Sequence, residues 1–380
     1  MKSRLFVTLL IVAMLGLFSS CEEETPFSPN QPGSLEKGGQ NAGTGNITAM
    51  TWNVYVGADV DAILVAPIDQ IPFVVGGAFA DLYDTDFHLR AVAIVDQIAE
   101  HNPHLIALQE ISLIRIQIPG DFMIGNPVAA EQIEFDYLDI LIAELASRGL
   151  DYEVGAKVQN ADVELPMLNP FTYSLDDVRL TDYDVVLVRG DVAFDNPTAV
   201  NYGIYLSVPI PFMPPIDILR GYAAVDATVG QMTYRFVSTH LESFDEGFRL
   251  AQADELLGEL ADETLPVILA GDFNSPAPDG QTYNFLTSEF EDAWVHNVLP
   301  NEGDGNTAPH AYDLLNPTAN LTRRIDLVLV RTPNPHPGSQ PIGPVQATVI
   351  GDELQDRTAG SLWPSDHAGV VATLHLRGTK

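Results

Sequence analysis

The sequence predicts an α/β protein whose helices and strands mix without strict βαβ alternation, which favours a mixed-sheet sandwich over a doubly wound parallel sheet. Three observations lead there. Short β-rich runs outnumber the helical patterns, apolar residues recur at helical spacing in three separate stretches, and residues 47–380 have the length of one large domain without an internal repeat.

Ile47–Val54 reads as the first strand. Phe87, Ala91, Ile94 and Ile98 mark a helix, followed by Pro103 and the strand-like "HLIALQEI". Ile133, Tyr137, Leu141 and Leu145 mark a second helix, with Gly149 as its stop. The runs "DYEVGAKV", "YDVVLVRG", "NYGIYLSV", "RGYAAVDATV" and "MTYRFVSTH" read as strands. Leu250, Ala253, Leu257 and Leu260 make a third helix that leads into "PVILAGDFNS". There Pro266 marks the start of a buried strand, and Gly271 breaks the run before Asp272. "RRIDLVLVR", "PVQATVIG" and "HAGVVATLHL" close the chain. The connections 61–83, 111–127 and 203–219 are unusually apolar.

Residues 1–21 carry Lys2 and Arg4, an apolar stretch from Phe6 to Phe18, and small residues before Cys21, the only cysteine. The stretch is short for a bilayer span and has the length of a signal-peptide core. The segment resembles a bacterial lipobox, with Cys21 acylated as the mature N-terminus; the alternative is simple cleavage and secretion. Residues 22–46, rich in Glu, Pro, Gly, Asn and Ser, read as a disordered tether. The expected location is the cell envelope, lipid-anchored through Cys21 at the outer membrane or cell surface. No protein partner is indicated.

The formal charge is −34, and two units more negative without Lys2 and Arg4. Such a surface repels a polyanion and argues against tight nucleic-acid binding.

Polar clusters punctuate the apolar runs: Asn53 in "MTWNV", Glu110 in "LIALQE", His240 in "FVSTHLE", Asp272 with Asn274 in "AGDFN", Asp326 in "RRIDLVLV", and Asp366–His367 in "PSDHAGV". Each alone is ordinary turn or strand-end chemistry. In this order they resemble the endonuclease/exonuclease/phosphatase superfamily, which includes DNase I-like nucleases, abasic-site endonucleases, inositol polyphosphate phosphatases and neutral sphingomyelinases. The resemblance spans roughly 47–376. It implies a DNase I-like four-layer α/β sandwich over 47–380, with two mixed, mostly antiparallel sheets flanked by helices.

Carried over residue by residue, the resemblance gives Asn53, Glu110 and Asp366 to a divalent cation, Mg²⁺ or Mn²⁺, consistent with all-oxygen donors. Asp272 matches the carboxylate that orients or deprotonates water, and Asn274 the amide that holds a phosphate oxygen or that water. His367 matches a histidine at the scissile phosphate, and Asp326 the carboxylate that fixes its tautomer. His240 matches a second phosphate-facing histidine, absent from abasic-site endonucleases. Arg189 falls where several members place a phosphate-binding arginine. Asp59 and Asp61 read as a solvated loop, and the histidines outside the motifs, His104 and His310 among them, as surface or helix-end residues.

These residues point to hydrolysis of a phosphodiester or phosphomonoester by activated water. The apolar connections either pack as extra core or form a lipid-contacting rim. With one arginine, Arg115, and no lysine, they do not look like a DNA-binding rim. The expected substrate is a lipid head group or small phosphorylated compound. A DNase I-like endonuclease acting on extracellular DNA is the alternative, and a non-catalytic surface binding module is the reading of a different class.

Overall fold

A computed structural model of the chain describes residues 44–210, 215–300, 302–333 and 342–377. The expected leader with Cys21 and most of the tether lie outside the described residues. The last tether residues, 44–46, already belong to the first strand, because they pair with residues 375–377 near the other end of the chain.

In chain order the elements are β1 (Thr44–Asn53), α1 (Asp61–Leu64), α2 (Ile71–Asp84), α3 (Phe87–His101), β2 (Leu105–Gln117), β3 (Gln132–Asp136), α4 (Tyr137–Ser147), β4 (Tyr152–Leu168), β5 (Leu175–Arg189), β6 (Ala193–Asn201), β7 (Leu206–Val208) and β8 (Ile216–Ile218). They continue with β9 (Gly221–Val229), β10 (Met232–His240), α5 (Glu246–Glu259), β11 (Val267–Ala277), α6 (Gln281–Leu286), β12 (Glu291–Asp292), β13 (Arg324–Arg331), β14 (Gln346–Ile350) and β15 (Gly369–Arg377).

Two sheets stack face to face. The first runs β14-β15-β1-β2-β5-β4 with β3 beside β2, and the second runs β12-β13-β11-β10-β9-β6. Only β1–β2 and β10–β11 pair in parallel within these sheets. Alternation along each strand sends one set of side chains between the sheets, where Ala107, Val186, Val225, Phe236, Ile268 and Val328 share one core. The opposite face of the first sheet packs on α2, α3 and α4, and that of the second on α5 and α6. The result is the four-layer sandwich expected.

Several local expectations need correction. The first apolar connection is mostly helix: Ile71, Val75, Phe79 and Leu82 form the buried stripe of α2. The Gly76–Gly77 pair hides this pattern, yet Gly76 is what lets α2 close on β4, since a Cβ there would meet the Leu168 carbonyl oxygen at 2.2 Å. Ile133 belongs to β3 rather than to the second helix, which Asp136 caps by accepting from Asp139 N–H. The strand expected over 201–208 splits, because Tyr202 turns into the core, where its hydroxyl meets Thr239 Oγ1 at 2.7 Å. Gly271 does not end its strand. A Cβ there would lie 1.9 Å from Thr239 O, so glycine permits the close β10–β11 approach while β11 continues to Ala277.

Candidate active site

The two parallel strand pairs deliver their carboxyl ends to one place. In the second sheet, His240, Asp272 and Asp326 stand side by side on β10, β11 and β13, in direct register. In the first, Asn53 pairs with Gln109, and a bulge sets Gln109 and Glu110 against Asp184 alone. Glu110 takes φ 58° there and Asn274 takes φ 49°, left-handed conformations that aim both side chains out of the pleat.

Asn53 joins the sheets: its amide nitrogen donates to Glu110 Oε1 at 2.9 Å and to Asp272 Oδ2 at 3.2 Å. Glu110 Oε2 also accepts from Val56 N–H at 2.8 Å. The loop before β15 carries Asp366 and His367. It is fastened by Ser365 Oγ, which donates to Asn53 O at 2.7 Å, and by Trp52 Nε1, which donates to His367 O at 2.9 Å. Buried Arg90 donates to the carbonyls of Val54, Tyr55 and Pro364, tying this loop to the one after β1. His367 Nδ1 lies 2.9 Å from Asp326 Oδ2, and its Nε2 faces Asp272 Oδ2 at 3.9 Å.

The two imidazoles are driven apart in charge. Burial works against protonation of His367, but the carboxylates of Asp326, Asp272 and Asp366 outweigh it and hold the ring charged well above the ordinary histidine range. Burial, then Arg220, then His367 push His240 far below that range. Arg220 Nη1 sits 3.0 Å from His240 Nδ1 and can only donate, so Nδ1 accepts; Nε2 lies 3.2 Å from the Asn274 amide nitrogen and 3.5 Å from Asp272 Oδ2. Asp272 is pushed up to about 6 by burial and then by Asp326. Asp366 is pushed up to about 7, chiefly by burial, with Glu110 and Asp272 adding to it.

Two donor sets are available to a cation. Asp272, Asp326 and His367 bring ligand atoms within 4.8 Å of one another, and Asp326 Oδ1 has no hydrogen-bond partner. In that set His367 turns Nδ1 to Asp326 and offers a nitrogen, a donor that a hard cation such as Mg²⁺ takes less readily than oxygen. The half-buried carboxylates of Glu110 and Asp366, repelling one another across the cleft, fit a hard divalent cation better.

Glu110, His240, Asp272, Asn274, Asp366 and His367 line this cleft, with Asn53 and Asp326 buried behind them and hydrogen-bonded to Glu110, Asp272 and His367; Arg189 lies elsewhere. That side chain sits at the opposite end of the sheet, where β5 reaches the start of β2, and it pairs with Asp191 at 2.6 Å. The arginine beside His240 is Arg220, the residue just before β9, surrounded by Glu242, Asp182 and Asp184. Only the β9–β10 register, which sets Gly221 opposite His240, reveals it. Asp59 and Asp61, expected to be solvated, are half-buried and exposed respectively; Asp61 opens α1, and both line the cleft mouth. His310 also lines it, buried and stacked on Trp363 at 4.2 Å, and burial followed by His367 pushes its pKa down to about 4.

Comparison with known proteins agrees with this architecture. The profile of the Endonuclease/Exonuclease/phosphatase family matches residues 50–367. An endonuclease/exonuclease/phosphatase family protein from Bacteroides thetaiotaomicron superposes with a TM-score of 0.54 at 14% identity, covering 88% of this chain and 99% of that one. A counterpart from Bacteroides vulgatus gives 0.51 at 14% identity, covering 87% and 99%. A mannosyl-6-phosphatase from Bacteroides thetaiotaomicron gives 0.50 at 15% identity, covering 86% and 99%. No curated protein sequence matches the chain.

Proposed function

The chain belongs to the endonuclease/exonuclease/phosphatase family, whose members hydrolyse phosphoester bonds, and we propose that it is a divalent-metal-dependent phosphoesterase acting on a lipid or small-molecule phosphate ester rather than on DNA. The observation that carries this reading is the opposition of a charged imidazole and a carboxylate, His367 Nε2 and Asp272 Oδ2, across 3.9 Å in an open cleft.

The Asp272 carboxylate, made more basic by a pKa pushed up to about 6, accepts a proton from the attacking water as the water oxygen bonds to phosphorus. His367, kept charged by Asp326, hydrogen-bonds the phosphoryl group and gives its proton to the departing alkoxide as the phosphorus–oxygen bond breaks. Asn274 offers its amide and Arg220 supplies fixed positive charge to the phosphoryl oxygens, with neutral His240 between them. A divalent cation held by Glu110 and Asp366, with the Asn53 side chain beside them, would neutralise charge developing on those oxygens.

The cleft carries Asp59, Asp61, Glu110, Asp182, Asp272 and Asp366 against two arginines, Arg220 and Arg323, and the charged ring of His367. That balance suits a single phosphate beside a cation and disfavours a polyanion. We further propose that the domain works at the cell envelope, anchored through Cys21.

The test is hydrolysis of phospholipid vesicles, a soluble phosphate ester and supercoiled plasmid, each with Mg²⁺, Mn²⁺ or EDTA and with His367→Ala as control. Metal-dependent release from vesicles or soluble ester, lost in the variant, supports the reading. Metal-dependent plasmid nicking alone would replace it with the nuclease, and inactivity on all three with no metal binding would favour a binding module.

A further inference from the structure

The cleft is larger than a phosphate and a cation require. It is one cavity of about 590 Å³, in the size range of sites that enclose an organic ligand. Its composition changes along its length, and the hairpin of β4 and β5 shows how. Residues two apart on a strand face the same side, so Asp184, Asp182, Leu180 and Val178 form one row on β5. The row passes from Asp184 beside His240 through Asp182 to Leu180 and Val178, about 7 and 13 Å beyond Asp182 at roughly 3.3 Å per residue. Ala161, Val163 and Leu165 continue the aliphatic surface on β4. Ile216 and Ile218 of β8 add to it, and Ile63 and Leu64 of α1 with Val75 of α2 complete the wall.

Val163, Val178, Leu180, Ile218, Ile63 and Leu64 remain only partly buried although they face a concavity. Apolar side chains left wet inside a pocket gain free energy when an apolar group displaces the water. Ile63, Leu64 and Val75 of the connection 61–83 and Ile216 and Ile218 before β9 thereby acquire a role as lining of a chamber open to the phosphoester site, while Val65, Phe73, Ile204 and Tyr205 stay exposed.

We propose that this chamber takes an uncharged hydrocarbon group of the substrate, so that the enzyme acts on amphiphilic phosphate esters, with the phosphate at His367 and Asp272 and an alkyl, acyl or prenyl-like portion between β4–β5 and β8. This specifies the substrate class of the phosphoesterase reading and rests on it for turnover, but not for binding.

Two measurements separate the claims. Calorimetry of wild-type protein with methyl-, butyl- and octylphosphonate reads the chamber without catalysis. Affinity is expected to rise roughly two- to fourfold per buried methylene, giving octyl at least tenfold over methyl. Equal affinities overturn the chamber. Hydrolysis of methyl alkyl phosphates, ethyl to octyl, followed by phosphorus NMR with Mg²⁺, reads turnover. Chain-dependent binding without any turnover removes the phosphoesterase reading and keeps the chamber, whereas turnover indifferent to chain length does the reverse.

Leu180→Asn and Val163→Asn are expected to flatten the alkyl dependence while leaving the ethyl ester within twofold of wild type; an unchanged dependence in both folded variants overturns the assignment. Phosphatidylcholine vesicles distinguish the source. Hydrolysis there at the rate of the octyl ester assigns a bilayer lipid, and hydrolysis of dispersed monomer only assigns a soluble amphiphile.

Discussion

His367 Nδ1 and Asp326 Oδ2 lie 2.9 Å apart, and Asp326 itself stands directly opposite Asp272 across the β11–β13 ladder. Two carboxylates in register repel one another. The imidazolium of His367, reaching Asp326 through Nδ1 and Asp272 through Nε2, compensates both. The charge state proposed for chemistry is therefore the one that the local fold requires.

Asp326→Asn removes the carboxylate that keeps the ring protonated while preserving shape. Turnover is expected to fall by about 10²–10⁴-fold. The histidine should titrate at lower pH, read by NMR of the ring protons. Unchanged activity with an unchanged histidine titration would refute the pairing.

Arg220 and Arg189 give opposite expectations. Arg220→Lys keeps a cation but loses the forked donor set beside His240, and a drop in kcat of ten-fold or more, on the order of 1–3 kcal/mol, is expected. Arg189→Ala breaks a pair with exposed Asp191 and a hydrogen bond to the Asn102 carbonyl, both at the far end of the sheet, and should leave kcat/KM within twofold. Steady-state kinetics on both variants checks the contrast.

Glu110→Gln keeps the acceptor that binds Val56 N–H but discards the charge. The Mg²⁺ concentration for half-maximal activity is expected to rise at least tenfold, with little change in the thermal melt. Calorimetric titration of the cation into both proteins gives the same comparison without substrate.

His104 makes a pH-dependent contribution to stability far from the site. Its Nδ1 accepts from Thr48 N–H at 3.0 Å, and burial, followed by Arg189, pushes its pKa down to about 4 from the ordinary 6.5. The unfolded chain thus binds a proton before the folded one does. The contribution is complete above pH 6.5 and is lost as pH falls from about 6.5 towards 4. His104→Asn supplies an oxygen acceptor that does not titrate, so the melting temperature of wild type should fall more steeply over this window than that of the variant.

The long strands and three amphipathic helices were legible because their periodicities are strong, and the order of the "LQE", "GDFNS" and "SDH" motifs carried the family. What stayed hidden depends on neighbours distant in sequence. Arg220 sits in "ILRGY", an unremarkable approach to a strand, and becomes a site residue only because β9 pairs with β10. Arg189 shows the converse: a strand-end arginine after an apolar run, which the β2–β5 register carries to the wrong end of the sheet. His310 reads as a surface or helix-end residue, and its stacking on Trp363 helps to bury it. The α2 helix was masked by apolar residues on most sides and by two glycines, one of which its packing on β4 demands.

The central claim is that Asp272 and His367 hydrolyse a phosphate ester with a divalent cation. Its most direct measurement is the rate of octyl methyl phosphate hydrolysis by EDTA-stripped protein, before and after restoring Mg²⁺, in wild type, Asp272→Asn and His367→Ala. Activity that returns with Mg²⁺ only in the wild type, at least 10²-fold above both variants, is the expected result. Equal rates in all three proteins, or a rate indifferent to EDTA, would contradict it.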